Sequence, residues 1–249
     1  MKVSFIIPFN NEEKNCRLMI EKVIDFARKN KLFFEVIAVD DRSSDTTRKI
    51  LKQLAPKYKF VFPVYRKQDR EEKGNTMGKA LVEGTKKARG HFIIWTMGDL
   101  ADDNKTYGKI LKQLEDGADL VFGSRYMPGG SRGNLDPLKA FLSSWGTLLA
   151  RLLFGVPVHD ITNAFRGFRK EVFHKLKLES AGFSISPEFA IKAHMSGFKL
   201  GEVPTVYTNR VEGVSNFKLY HMTKNYLKLY WSLFLKYKLL RRPLDFIRK

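Results

Sequence analysis

Apolar positions in the first half of the chain switch repeatedly between two periods. Residues 3–7 form a run rich in β-branched side chains that stops at Pro8 and gives way to Asn10, Asn11, Glu12 and Glu13. Leu18, Ile20, Val23, Ile24 and Phe26 then recur at helical spacing, so this segment predicts a strand, a loop and a helix. Residues 33–39 repeat the strand signature and end at Asp40, Asp41, Arg42, Ser43, Ser44 and Asp45, where serine and aspartate can cap a helix carrying Ile50, Leu51 and Leu54. Strands are predicted again at 60–65, 91–97 and 119–123, with helices at 79–88 and 107–114. Alternation of this kind specifies an α/β fold, a mostly parallel sheet with helices on both faces. Ligands of such sheets bind at the carboxyl ends of the strands, so the polar clusters after Ile7, Val39 and Met97 are expected to converge on one crevice. Glu12, Asp40, Asp41, Asp99, Asp102 and Asp103 would repel one another there, and a divalent metal shared with a phosphate ligand is the simplest relief.

The second half changes character. Residues 126–136 are rich in Gly, Ser and Pro and read as a flexible loop, 139–154 as an apolar helical segment, and 160–169 as a polar turn. Among 249 residues the formal charge is +19, and the segment 218–249 holds nine basic residues against one acid, Asp245. A hydrophobic fraction of 43% is enough for a packed core and excludes disorder as the main state. The one cysteine, Cys16, forms no internal disulfide, and the five histidines lack metal-ligand spacing, so the chain reads as cytoplasmic and unstapled. Residues 3–8 are too short for a signal-peptide core. The longest apolar stretches, 141–158 and 226–240, are broken by Arg151 and by Lys228, Lys236 and Lys238, which argues for docking on a membrane without spanning it.

Six short motifs occur in order. They are Ile6-Ile7-Pro8-Phe9-Asn10-Asn11-Glu12, then Val39-Asp40-Asp41-Arg42-Ser43-Ser44-Asp45-Thr46, then 75–79, Gly123-Ser124-Arg125-Tyr126, Asp160-Ile161-Thr162-Asn163-Ala164-Phe165-Arg166, and 210–218. Across residues 2–219 this series resembles the family 2 glycosyltransferases of the GT-A (Rossmann-like) fold, and within them the polyprenol-phosphate, dolichol-phosphate mannose synthase-like branch. The resemblance implies a catalytic domain over 1–217, with 141–156 as a candidate interface helix, followed by a basic amphipathic helical tail over 218–249.

It also implies an activity: transfer of a hexose, with inversion, from a nucleotide-sugar of the GDP-mannose or UDP-glucose type to a polyprenyl phosphate. Pro8, Asn10 and Glu12 fall where the family lines its nucleotide pocket, Asp40 or Asp41 where a carboxylate meets the base or ribose, and Lys79 at a helix entry beside them. The family's acid-x-acid metal motif reads here Met97-Gly98-Asp99, so one carboxylate is replaced by a thioether that suits Mg²⁺ or Mn²⁺ poorly. Asp99 is then the main metal ligand. Asp102 either assists it or caps the next helix.

Arg125, Lys139, Ser143, Arg210 and Lys218 are the expected phosphate-handling positions, with Lys139 and Ser143 four apart on one helical face. Arg166 could contact phosphate or pair with Asp160, and Glu188 falls where the family places an acid facing the sugar. An acceptor phosphate arrives already anionic, its second pKa being about 6, so no general base is required. Phe141, Leu142, Trp145, Leu148, Leu149, Leu152, Leu153 and Phe154 resemble the family's headgroup-layer helix, and the basic tail adds attraction to an anionic membrane. Three rivals are a soluble transferase acting on a polysaccharide or protein hydroxyl, a catalytically degenerate scaffold, and a nucleic-acid binder. The acidic crevice speaks against the last of these.

Overall fold

The computed structural model describes residues 2–67, 74–208 and 219–240. Seven strands form one sheet in the order β3-β2-β1-β4-β6-β5-β7: β1 (Lys2–Phe9), β2 (Phe33–Asp40), β3 (Val61–Tyr65), β4 (Phe92–Trp95), β5 (Leu120–Ser124), β6 (Arg166–Arg169) and β7 (Leu200–Pro204). All neighbouring pairs are parallel except those of β6, which runs antiparallel to both β4 and β5. The helices are α1 (Cys16–Lys29), α2 (Thr47–Lys57), α3 (Met77–Lys87), α4 (Lys105–Glu115), α5 (Pro137–Phe154), α6 (Lys170–Lys175), α7 (Ile185–Met195) and α8 (Leu219–Leu233), the last continued by a wider π-helical turn, Phe234–Leu239.

The sheet is covered on both faces, which is why β1 reads as a continuous apolar run. Phe5, Ile7 and Phe9 pack with α1, α2 and α4 in one cluster, while Ile6 joins Ile37, Val39, Trp95, Phe168 and Phe189 in the cluster under α3, α5 and α7. The chain winds one way from β1 to β3 and the other way from β4. The switch point between β1 and β4 therefore opens a crevice at the carboxyl ends of β1, β2 and β4.

The alternating strands and helices stand where periodicity places them, and the GT-A expectation holds. Two strands differ from the reading. Residues 160–169 are not all a turn: Arg166–Arg169 is an interior strand, β6. Its arginines are compatible with that position because Arg166, with no exposed surface, donates to the carbonyls of Ile161 and Ser186 at 3.2 and 2.9 Å and to that of Asn163, and lies over the Phe122 ring at 4.8 Å. Gly167 is required between them, since a Cβ there would run into the Ile110 side chain of α4. The second, β7, pairs with β5 and ends the sheet.

Candidate active site

The three strand ends are joined by loops that hold one another. Asn10 Nδ2 donates to the Asp41 carbonyl at 2.7 Å, Asn11 N to Ser43 Oγ at 3.0 Å, and Ser44 N to Asn11 Oδ1 at 2.7 Å. Ser43 and Ser44 thus tie loops together, and the first turn of α2 is capped instead by Asp45 and Glu13, which accept from the amides of Thr47 and Thr46. Each crevice loop contains one non-glycine residue in the left-handed region: Asn11 at φ 57°, Arg42 at 63° and Leu100 at 64°. For a bulky residue such as Leu100 this is a strained conformation, the kind that clusters at binding sites.

Of Asp40 and Asp41, it is Asp41 that lines the crevice. Its Oδ2 accepts from Thr76 Oγ1 at 2.7 Å, and its Oδ1 accepts from Arg66 Nη1 and faces Arg42 Nε at 3.4 Å. Arg66 is braced in turn by Glu83 at 3.2 Å. Asp40 has no exposed surface and accepts from Ser43 N. Lys79 is exposed, lies outside the crevice lining, and gives its backbone N–H to the Ala181 carbonyl at 3.0 Å. Pro8, Asn10 and Glu12 all line the cavity, Glu12 accepting from Asn15 Nδ2 at 2.7 Å.

Asp99 lines the same cavity at the end of β4 and is nearly buried, with Ala101 N donating to its Oδ1 at 3.2 Å. Asp102 does not line it. Its Oδ2 accepts from Thr96 Oγ1 and Met97 N at 3.0 and 2.9 Å, and burial, aided by the Asp99 charge, pushes its pKa up to about 7. Met97 stands where a second carboxylate was missing and lines the crevice. Among the described residues no group of three or more His, Cys, Asp or Glu side chains gathers as a metal cluster.

Across the crevice, Arg125 grips Asp160 through two parallel hydrogen bonds, Nε to Oδ2 at 2.7 Å and Nη2 to Oδ1 at 3.0 Å. Burial works against the Arg125 charge, but Asp160 facing it more than compensates and the guanidinium stays firmly protonated. Burial would likewise raise the Asp160 pKa, yet Arg125 and the Thr162 hydroxyl hold it below the usual carboxylate range. Arg166 neither pairs with Asp160 nor reaches the cavity: its partners are backbone carbonyls, and burial takes its pKa down to about 9.

Helix α5 starts at Asp136, whose carboxylate caps Lys139 N at 3.0 Å. Lys139 and Ser143, one turn apart on this helix, line the cavity, as does Arg125. Ser143 Oγ contacts the Tyr126 hydroxyl, a partner that sequence spacing did not single out. Helix α8 packs across α5 where Gly146 leaves room, Tyr230 donating to the Gly146 carbonyl at 2.9 Å. The cavity, about 1660 Å³, runs from Pro8 and Asp41 past Asp99 to Lys139 and Ser143 and on between α5 and α8, beside Trp145, Tyr226 and Tyr230. A single small-molecule site occupies about 300–1,000 Å³, so this one has room for two ligands.

Glu188 borders the cavity, but its oxygens accept from the amides of Glu179 and Ser180 and from Lys192 Nζ. Arg210 and Lys218, both expected at the site, lie outside the described residues. Arg66 and the segment 179–184 belong to the site or its immediate support and carry no local motif that would have flagged them, whereas Thr76 and Tyr126 lie inside two of the six motifs without being singled out by them.

Residues 4–177 match the family model described as Glycosyl transferase family 2. A dolichol-phosphate mannosyltransferase of Pyrococcus furiosus is 33% identical over 221 residues, 88% of this chain, and the chain spans 60% of that relative's length. A polyprenol monophosphomannose synthase of Mycolicibacterium smegmatis is 30% identical over 214 residues, 84% of this chain and 78% of the relative. Among solved structures, a glucosyl-3-phosphoglycerate synthase from Mycobacterium tuberculosis in complex with Mn²⁺, UDP and phosphoglyceric acid superposes with a TM-score of 0.69 at 18% identity, covering 94% of this chain and 78% of that one. At that identity the likeness is one of fold.

Proposed function

The chain belongs to glycosyl transferase family 2, and on that premise we propose that it transfers a hexose from a nucleotide-sugar to a polyprenyl phosphate at a membrane surface. One observation carries this reading: a single cavity joins an end lined by Asp41 and Asp99 to an end lined by Arg125 and Lys139 that opens between two helices with exposed apolar side chains.

The donor's nucleoside lies against Pro8, Asn10, Glu12 and Asp41, and its diphosphate reaches Asp99. Asp99 is the residue that would hold a magnesium or manganese ion together with the donor's phosphates, since Mg²⁺ is commonly held by one or two carboxylates plus substrate phosphates, and such an ion would supply charge neutralisation for the leaving diphosphate. Asp99 also keeps the first turn after β4 in place through Ala101. Lys139, Ser143 and Arg125 hold the acceptor phosphate, the guanidinium of Arg125 being fixed in place by Asp160 and Thr162. An ionised phosphate oxygen is itself the nucleophile, so positioning and charge stabilisation are the whole task of these side chains.

The lipid tail leaves between α5 and α8. On α5 the exposed residues Leu138, Phe141, Trp145, Leu148 and Leu152 repeat at intervals of three and four, with Leu152 as much as 73% exposed, and α8 adds Leu227 and Trp231. No helix among the described residues is long and apolar enough to cross a membrane. Together with the basic residues of the tail, this stripe suits a helix lying in the headgroup layer of an anionic bilayer.

Incubation with labelled GDP-mannose or UDP-glucose, Mg²⁺ and either a short polyprenyl phosphate or the matching polyprenol tests the reading. Label is expected in the organic phase with the phosphate and not with the alcohol. Label carried only by soluble polysaccharide or protein hydroxyls would point to the rival transferase instead.

A further inference from the structure

On α7, Glu188 is 1% and Lys192 2% exposed, and Lys192 Nζ donates to Glu188 Oε1 and to the Lys177 carbonyl, both at 2.6 Å. Glu188 spends its remaining capacity on a loop, accepting from Glu179 N at 3.0 Å and Ser180 N at 2.8 Å. Two apolar side chains would bury as well as an ion pair, so what this pair adds is the location of the segment it grips.

That segment, 179–184, forms one wall of the cavity. Its other side rests on the start of α3, where the Ala181 carbonyl accepts from Lys79 N and two glycines let backbones meet. A Cβ on Gly182 would stand 2.9 Å from the Asn75 carbonyl oxygen, and one on Gly78 would stand 2.5 to 2.8 Å from the carbonyls of Ser180, Ala181 and Gly182. The wall thus adjoins Thr76, which holds Asp41, yet it offers different chemistry: the Glu179 carboxylate, paired with Lys177, the hydroxyl residues Ser180 and Ser184, Phe183 and a small-residue backbone. Hydroxyl partners and an aromatic face suit a hexose, whose own surface alternates hydroxyls and C–H groups, better than a phosphate.

We propose that segment 179–184 is the wall that reads the transferred hexose, and that Glu188 and Lys192 are positioning residues that hold it against α3. The proposal rests on the donor reading above. Glu188 then acts on the sugar through the loop it pins, without touching it.

The test compares nucleoside diphosphates with nucleotide-sugars by calorimetry, using GDP, GDP-mannose and GDP-glucose, and UDP with UDP-glucose and UDP-galactose, all with Mg²⁺. In the double variant Glu188→Leu/Lys192→Met, which leaves no charge buried and takes the acceptor away from the Glu179 and Ser180 amides, diphosphate affinity is expected to stay as in the wild type. Affinity for the sugar-bearing ligand is expected to fall about tenfold, and the preference between epimers to narrow. Gly182→Ala, which keeps the ion pair and pushes the wall off Asn75, should do the same and decides the matter should the double variant not fold. Parallel loss of diphosphate and nucleotide-sugar binding, no change in either, or a wild type indifferent to the epimer would overturn the proposal. Failure of the parent reading looks different, because the binding contrast would persist while no sugar reached polyprenyl phosphate.

Discussion

Replacing Asp99 with asparagine is expected to lower kcat/KM for sugar transfer by about a thousandfold, roughly 4 kcal/mol at the transition state. The size follows from the departure at Met97. In a site with two carboxylates the loss of one is shared, whereas here a thioether occupies the first position and Asp102 is committed to Thr96 and Met97 N. Asp99 is thus the carboxylate at the end of β4 that faces the cavity. The exchange should cost little stability, because an amide oxygen can still accept from Ala101 N as Oδ1 does. A variant that melts like the wild type and binds nucleotide weakly, with turnover nearly gone, is the expected result; unaltered turnover would remove Asp99 from the chemistry.

Asp160→Asn acts on the fold instead. Asp160 has no exposed surface and receives Arg125 Nε, Nη2 and backbone N–H, the Thr162 hydroxyl and Asn163 N. Removing the charge leaves Arg125 buried without its counter-ion, a loss of about 3–5 kcal/mol. For a domain of this size each kcal/mol moves Tm by about 2–4 °C, so a drop of roughly 10 °C is expected in a thermal melt. The pH dependence has a fixed sign. Asp160 is held below its ordinary pKa, so its contribution is complete above the unfolded value of about 3.9 and is lost as pH falls through the lower folded value. The wild type should lose stability on acidification below about pH 4 through this group, and the asparagine variant should lack that share of the acid limb. Equal melting of the two proteins at neutral pH would show that the pair is not holding the loop.

What the sequence makes legible and what it hides divide along physical lines. β1 and β2 are written as nearly continuous apolar runs and α1 through α4 as apolar stripes with a period of about three and a half, and so the crevice at Pro8, Asp41 and Asp99 could be placed before any coordinates. β6 was hidden because its four residues include two arginines, and only the carbonyls of Ile161, Asn163 and Ser186, which come together in the folded chain, make Arg166 fit inside. Lys139 and Ser143 were readable as an i, i+4 pair on α5, but the Tyr126 contact to Ser143 spans 17 residues and has no local trace. Glu188 shows the limit of motif transfer. The resemblance implies an acid facing the sugar at this position, while its partners, Lys192 and two loop amides, emerge only from packing. On α8 and the turn that continues it, Tyr226, Tyr230, Leu233 and Tyr237 form the buried face, and Leu227 and Trp231 are left outside.

The division of the cavity into a donor half and an acceptor half is tested most directly by steady-state kinetics of Lys139→Ala/Ser143→Ala on vesicles carrying polyprenyl phosphate. The KM for the lipid phosphate should rise by about tenfold or more while the KM for the nucleotide-sugar stays where it was. A rise in the donor KM, or lipid kinetics indistinguishable from those of the unaltered protein, would contradict the assignment of α5 to the acceptor.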